Sequence, residues 1–167
     1  MKLMDILLRE YQEGDGELVR QFIERLQDYV VLRDPVKRIR RMSEFGEFGL
    51  KKVLEKLEKS RGRVYFAYEE EKIVGYIFGF VCDKQSEENL SEVVPTQEGQ
   101  IEDVYVEEEY RGRGVGKLLM EKMGSYLKEQ GCDSVWLEVF APNSDAHDVY
   151  LKLGYMDRVI GMLKKLG

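Results

Sequence analysis

The order of elements legible in the sequence is β, α, α, β, β, β, loop, α, β, α, β. It predicts an α/β protein of the α+β kind, with a mixed sheet flanked by helices on both faces. Two observations carry this. Apolar runs with β-rich composition lie either side of a short polar turn in the middle of the chain, and a strand–helix–strand unit follows later. Neither a doubly wound sheet nor a barrel has that order. With 167 residues, 43% of them hydrophobic, residues 1–167 are expected to form a single domain with a sizeable core.

Each element has its own signal. Residues 3–10 read as a first strand, ending in the polar turn 12–16, where Asp15 is placed to cap a helix carrying Leu18, Phe22, Leu26, Tyr29 and Val30 to about Val31. Beyond Asp34 and Pro35 lie Lys37, Arg38, Arg40 and Arg41, either a patch for an anionic ligand or a solvated helical face. Phe45, Phe48, Val53, Leu54 and Leu57 then mark one or two further helices. Residues 63–68 and 73–81 form a hairpin around Glu69–Lys72, with Gly75 and Gly79 signalling a bulge, a strong twist or a close backbone approach. Residues 83–100 are polar and acidic and read as a long loop. After a strand over 101–106, Val115, Leu118, Leu119, Met123, Tyr126 and Leu127 share a helical face, stopped by Gly131. A strand at 135–140 breaks at Pro142 and Asn143. Ala146, Val149, Tyr150 and Leu153 make the next helix, and residues 155–166 a final strand or strand pair.

Composition narrows the function. Lys and Arg number 26 against 32 Asp and Glu, a net charge of −6, which argues against duplex nucleic acid and leans towards a cationic ligand. No apolar run approaches the ~18 residues of a membrane span, so the expectation is no membrane partner and a cytoplasmic location. Cys82 and Cys132 have no metal-ligand spacing and are read as free thiols, with no metal site.

The stretch that organises the chain is Tyr110-Arg111-Gly112-Arg113-Gly114-Val115-Gly116, a glycine-rich loop feeding a helix N-terminus and hence an anion site. A Walker loop would need glycine at Arg111 and Ser or Thr at Leu118. A dinucleotide fingerprint would need its third glycine at Lys117 or Leu119. Both fail. The pattern R-x-x-G-x-G, carried by Arg111, Gly114 and Gly116, resembles the acyl-CoA pyrophosphate loop of the GNAT superfamily of N-acetyltransferases. Downstream, Asn143, Ala146, Tyr150, Gly154 and Tyr155 spell N-x-x-A-x-x-x-Y-x-x-x-G-Y, similar to the superfamily's other signature and in the expected order. The clear resemblance covers about residues 100–155.

That resemblance implies a GNAT-like sheet splayed between the strands at 101–106 and 135–140, with acetyl-CoA as cosubstrate in the opening. The pantetheine arm would pair with Val104, Tyr105 and Val106. The pyrophosphate would rest on Gly112, Arg113, Gly114, Val115, Gly116 and Lys117 with help from Arg111, and Asn143 would cap its helix and bond the arm. Transfer would be direct, from thioester to amine. Tyr150 matches the general acid, the alternative being a core aromatic. Glu102 is the candidate base or water relay and Asp103 a candidate anion for the amine, the alternative for both being strand-edge charges or salt bridges. The implied enzyme is an N-acetyltransferase acting on a small-molecule primary amine. The alternatives are a protein N-terminal or lysine acetyltransferase, and a non-catalytic acyl-CoA-binding or sensing module. A homodimer is an open option; acceptor identity is not legible.

Overall fold

The computed structural model describes residues 5–166. Its elements are β1 (Ile6–Glu10), α1 (Gly16–Arg33), α2 (Phe45–Lys59), β2 (Arg63–Glu69), β3 (Lys72–Val81), α3 (Glu87–Glu92), β4 (Glu98–Val106), α4 (Val115–Glu129), β5 (Ser134–Leu137) and α5 (Ser144–Lys152), with a 3-10 turn at Glu108–Tyr110. They form one five-stranded sheet in the order β1-β2-β3-β4-β5. The first three pairings are antiparallel and β4–β5 is parallel, so the sheet is mixed as expected.

Alternation along the strands sends side chains to two cores. Tyr65, Ala67, Ile77 and Ile101 pack with Val115, Leu119, Met123 and Leu127 of α4. Val64, Phe66, Tyr76 and Phe78 face Val19, Phe22 and Ile23 of α1 and Val53 of α2. Helices therefore cover both faces. On the α1 side Phe22 stacks on Tyr76 at 5.5 Å and meets the Tyr105 ring at 5.9 Å, which seats α1 over β4. None of the described helices is long and apolar enough to cross a membrane.

Several boundaries differ from the sequence reading for local reasons. The start of the first expected strand falls partly outside the described residues. Asp15 holds the N-cap position of α1, yet its carboxylate accepts from Arg9 at 2.8 and 3.1 Å and from the Gln12 N–H at 2.7 Å, leaving no side-chain cap. The basic stretch is no helix: Asp34, 1% exposed, accepts from the N–H groups of Val36, Arg38 and Ile39, and this folds residues 34–39 into a loop. Within the expected loop 83–100, Ser86 caps the short α3 by accepting from Asn89 N–H at 3.2 Å, and β4 begins at Glu98. Gly131 stops α4 as expected, with Cys132 N–H bonding Leu127 O and Gly131 N–H bonding Lys128 O, both Schellman bonds. The expected final strand over 155–166 is not formed. Gly154 turns the chain at φ +91°, Tyr155 N–H returns to Tyr150 O, and among the described residues no strand of the same chain pairs with residues 156–166.

Two register shifts bend the sheet. Val74 is the extra residue between Ala67–Gly75 and Tyr68–Ile73, and Glu102 the extra residue between Phe78–Asp103 and Gly79–Ile101. At the second bulge a Cβ on Gly79 would lie 2.9 Å from both Gln100 O and Met123 Sδ. Close approach of β3 to β4 and α4 thus requires glycine there. Gly79→Ala should lower stability by about 1–3 kcal/mol, read as a reduced urea midpoint at unchanged m-value.

Candidate active site

The parallel pairing of β4 with β5 runs only from Glu98–Ser134 to Ile101–Leu137. From Glu102 onward, where the bulge sits, β4 continues without β5 beside it. The gap opens a cavity of about 650 Å³, within the range of small-molecule sites. One wall is the β4 backbone at Val104, Tyr105 and Val106. The glycine loop and the start of α4 form the mouth through Arg111, Gly112, Gly114, Gly116 and Lys117. The opposite wall is α5, with Asn143, Ala146, Val149 and Tyr150, and α1 closes the side with Leu26 and Tyr29.

The glycines give the loop a backbone that other residues would strain. Gly112 and Gly114 have φ of +72° and +87°, and Gly114 is the N-cap of α4, a left-handed backbone that a side chain would strain. Leu118 N–H makes the first intrahelical bond, to Gly114 O at 3.0 Å. The first-turn N–H groups of Val115, Gly116 and Lys117 therefore have no acceptor within the helix and form, with the helix dipole, a positive rim. Val115 contributes only backbone here, since its side chain is in the core at 1% exposure.

The arginines do not match their expected places equally. Arg111 reaches back into the cavity, donating from Nε to Val106 O at 2.9 Å, with its guanidinium 4.7 Å from the Tyr29 ring centre and 5.5 Å from that of Tyr105. Arg113 lies over Tyr110 at 5.2 Å and does not line the cavity. Asn143 is the N-cap residue of α5 without making a side-chain cap; its Oδ1 accepts from Tyr29 Oη at 3.1 Å, joining α5 to α1.

Tyr150 faces the cavity and packs edge-on against Tyr155, ring centres 6.0 Å apart. Among the described residues, no group hydrogen-bonds its hydroxyl. Burial, with smaller contributions from Tyr155 and Tyr29, pushes its phenol up to about 12, so it is a protonated donor at neutral pH.

The two carboxylates sit beside the cavity and do not line it. Glu102, at the bulge, accepts from Gln100 Nε2 at 2.7 Å and is ion-paired with Lys52 of α2. Asp103 accepts from the buried Tyr76 hydroxyl at 3.1 Å. Burial and the neighbouring charge of Glu102 push Asp103 up to about 6.

The sequence pattern of the acetyltransferase (GNAT) family matches residues 17–155. The chain belongs to this family. It is an N-acetyltransferase that uses acetyl-CoA. Among related sequences, the thialysine N-epsilon-acetyltransferase of Sus scrofa is 28% identical over 164 residues, covering 93% of this chain and 86% of that protein. A streptothricin acetyltransferase of Streptomyces lavendulae is 36% identical over 55 residues, 33% of this chain and 29% of that one. Among solved structures, a tetramutant of a Bacillus halodurans protein has a TM-score of 0.81 at 23% identity, covering 96% and 99% of the two chains. The aminoglycoside acetyltransferase AAC(6')-Iy, in complex with the bisubstrate analogue CoA-S-monomethyl-acetylneamine, has a TM-score of 0.69 at 17% identity, covering 96% and 98%. At those identities the likeness is one of fold, and the GNAT fold is the one described above.

Ten of the fourteen candidate site residues named from the sequence line this cavity: Val104, Tyr105, Val106, Arg111, Gly112, Gly114, Gly116, Lys117, Asn143 and Tyr150. Leu26 and Tyr29 were readable only as part of an apolar helical stripe, and that spacing carries no sign that the end of the stripe passes beyond the core to the cavity. Met120 and Asp145 likewise line it without a sequence signal.

The raised value of Asp103 has a stability consequence. Its folded value of about 6 lies above the ordinary ~3.9, so between roughly pH 4 and 6 the folded state binds more protons than the unfolded state. Stability should therefore fall as pH rises through that window, by up to about 3 kcal/mol for this group. Asp103→Asn keeps an oxygen for the Tyr76 hydroxyl and should flatten the slope, checked by urea unfolding at pH 4, 5, 6 and 7.

Proposed function

We propose that this N-acetyltransferase transfers the acetyl group directly to a primary amine of a small molecule, with Tyr150 assisting departure of the CoA sulfur. The observation that carries the reading is that one cavity brings together the unpaired β4 edge, the positive rim of α4 and a Tyr150 hydroxyl without a protein partner among the described residues. These features fit acetyl-CoA: the α4 rim and Lys117 suit the pyrophosphate, and Val104 to Val106 offer backbone groups to the pantetheine arm. Acetyl-CoA supplies the activated thioester.

The residues of the chain divide the remaining work. A backbone N–H on β4 between Val104 and Val106 polarises the carbonyl. Tyr150 donates its hydroxyl hydrogen to the departing sulfur. With its phenol near 12 against ~8.5 for a thiol, full proton transfer would be uphill by about 5 kcal/mol, so Tyr150 acts through a strong hydrogen bond. A lysine-like amine is mostly protonated at pH 7, at a cost of roughly 4–5 kcal/mol for the neutral form. Glu102 takes that proton through water, since its carboxylate lies beside the cavity and is held by Gln100 and Lys52.

We read the acceptor as a small molecule; the Tyr29–Asn143 bond joins α1 to α5 at the cavity. The names of the thialysine and streptothricin relatives agree with small amines. A cytoplasmic location is part of the same reading, supported by the free thiols of Cys82 and Cys132.

Three measurements test the scheme. Tyr150→Phe should lower kcat tenfold or more, about 1.4 kcal/mol, with the KM for acetyl-CoA little changed; an unchanged kcat removes Tyr150 from catalysis. Gly114→Val should weaken CoA binding by at least tenfold in calorimetry, because valine is strained at φ +87°. A CoA-release screen over polyamines, aminoglycosides, amino acids, amino sugars and peptides should give its highest kcat/KM with a small amine, and a peptide as best acceptor would reverse that part of the reading.

A further inference from the structure

One amine of the chain already stands beside the carboxylate proposed to relay the acceptor's proton. Lys52 of α2 and Glu102 of β4, 50 residues apart in sequence, form an ion pair. Only Asp103 separates Glu102 from the stretch of β4 that lines the cavity, Val104 to Val106. At about 3.3 Å per strand residue, the Glu102 backbone is therefore ~7 Å from that of Val104.

The two partners are held differently. Glu102 is 24% exposed and its other oxygen accepts from Gln100 Nε2 at 2.7 Å, so the carboxylate is fixed from two sides. The Lys52 side chain is 52% exposed, and among the described residues its ammonium donates to Glu102 alone. A half-exposed pair contributes only about 0–1 kcal/mol to folding, and a lysine stem is flexible, so the amine can leave the carboxylate at little cost. Among the described residues no other lysine is ion-paired with β4. Lys59 pairs with Glu55, Lys72 with Glu109 and Lys117 with Glu121. Lys56, one helical turn beyond Lys52, places its ammonium over the Phe80 ring at 4.5 Å. Lys117 does line the cavity, but at the α4 mouth that suits the pyrophosphate.

We propose that Lys52 is itself an acceptor: with no small amine bound, the enzyme acetylates the Nζ atom of its own Lys52. The step rests on the acetyl-CoA reading of the cavity and on Glu102 as the proton relay. A lysine amine must shed a proton before it attacks, and Lys52 touches Glu102 directly, so that proton passes to the carboxylate and on to solvent. Nζ then forms a bond to the acetyl carbonyl carbon, the carbon–sulfur bond breaks, and the second proton lost by Nζ ends on the departing sulfur. One lysine ammonium and one acetyl-CoA give one acetyl-lysine, one CoA thiol and one proton. The acetylated side chain is neutral and no longer pairs with Glu102.

Mass spectrometry of the protein tests this without reference to turnover. Incubated with acetyl-CoA and no amine, the protein should gain one acetyl group, and peptide mapping should place it on Lys52 at least tenfold faster than on Lys51 and Lys59, exposed lysines of the same helix that gauge uncatalysed acetylation. Equal rates at the three lysines overturn the inference. Excess free CoA should remove the difference in the unaltered protein, and a difference that survives is uncatalysed chemistry, which overturns it too. The rate at Lys52 should not change on dilution of the protein; a rate that scales with concentration means one copy modifies another and refutes the internal step. Lys52→Arg keeps a cation for Glu102 and should lose the acetyl group, whereas an increment that persists at the same rate places the acceptor elsewhere. CoA release with a small amine from a protein whose Lys52 stays unmodified overturns self-acetylation alone and leaves the small-amine reading standing; no release with any amine and no acetyl on Lys52 fails both.

Discussion

The site depends on β4 losing one of its neighbours halfway along its length. Over Gly99–Ile101 the strand is paired on both sides; beyond the bulge at Glu102 it is paired with β3 alone, over Asp103–Val106. The change coincides with the bulge at Glu102, and a bulge bends its strand and increases local twist. Every feature that the proposed chemistry uses follows from that divergence. It exposes the backbone of Val104 to Val106, makes room for α4 to present its N-terminus, and sets α5 opposite with Tyr150 inward. The bulge itself rests on Gly79, whose missing side chain lets β3, β4 and α4 converge beneath it.

The α1 face of the sheet supports the same strand from behind. Phe22, Tyr76 and Tyr105 form a contiguous aromatic layer, and Asp103 is tied to Tyr76 within it. Arg25 of α1 pairs with Glu107, just past the end of β4. These contacts anchor the unpaired half of the strand on the side away from β5. They also carry a cost, since Asp103 is kept where its charged form is disfavoured.

Features that depend on local backbone chemistry were legible in the sequence. The glycines of residues 110–116 mark a loop feeding a helix N-terminus, Gly131 ends α4, and the spacing from Ala146 to Leu153 marks one helical face. Those local signals mark the loop and the helix ends, the order of elements implies the mixed sheet, and the resemblance to the GNAT superfamily implied the ten cavity residues. Features that depend on where distant elements meet were not legible. Nothing in the apolar spacing of α1 says that Tyr29 will bond Asn143, 114 residues away. The acid of Asp15 looks like a cap until Arg9 is seen to claim it. Residues 155–166 have a strand's composition, but a strand also needs a partner edge, and composition does not supply one.

The position of Arg111 changes how ligand binding at the end of β4 should be counted. Val106 O is already satisfied by Arg111 Nε at 2.9 Å, within a guanidinium held between Tyr29 and Tyr105. A ligand that pairs with this carbonyl replaces an internal hydrogen bond with another of similar strength, and such an exchange contributes little net free energy. In the proposed acetyl-CoA reading, the end of the strand would then act as a ruler for the depth to which the ligand slides, with tightness of holding decided at the charged mouth by α4.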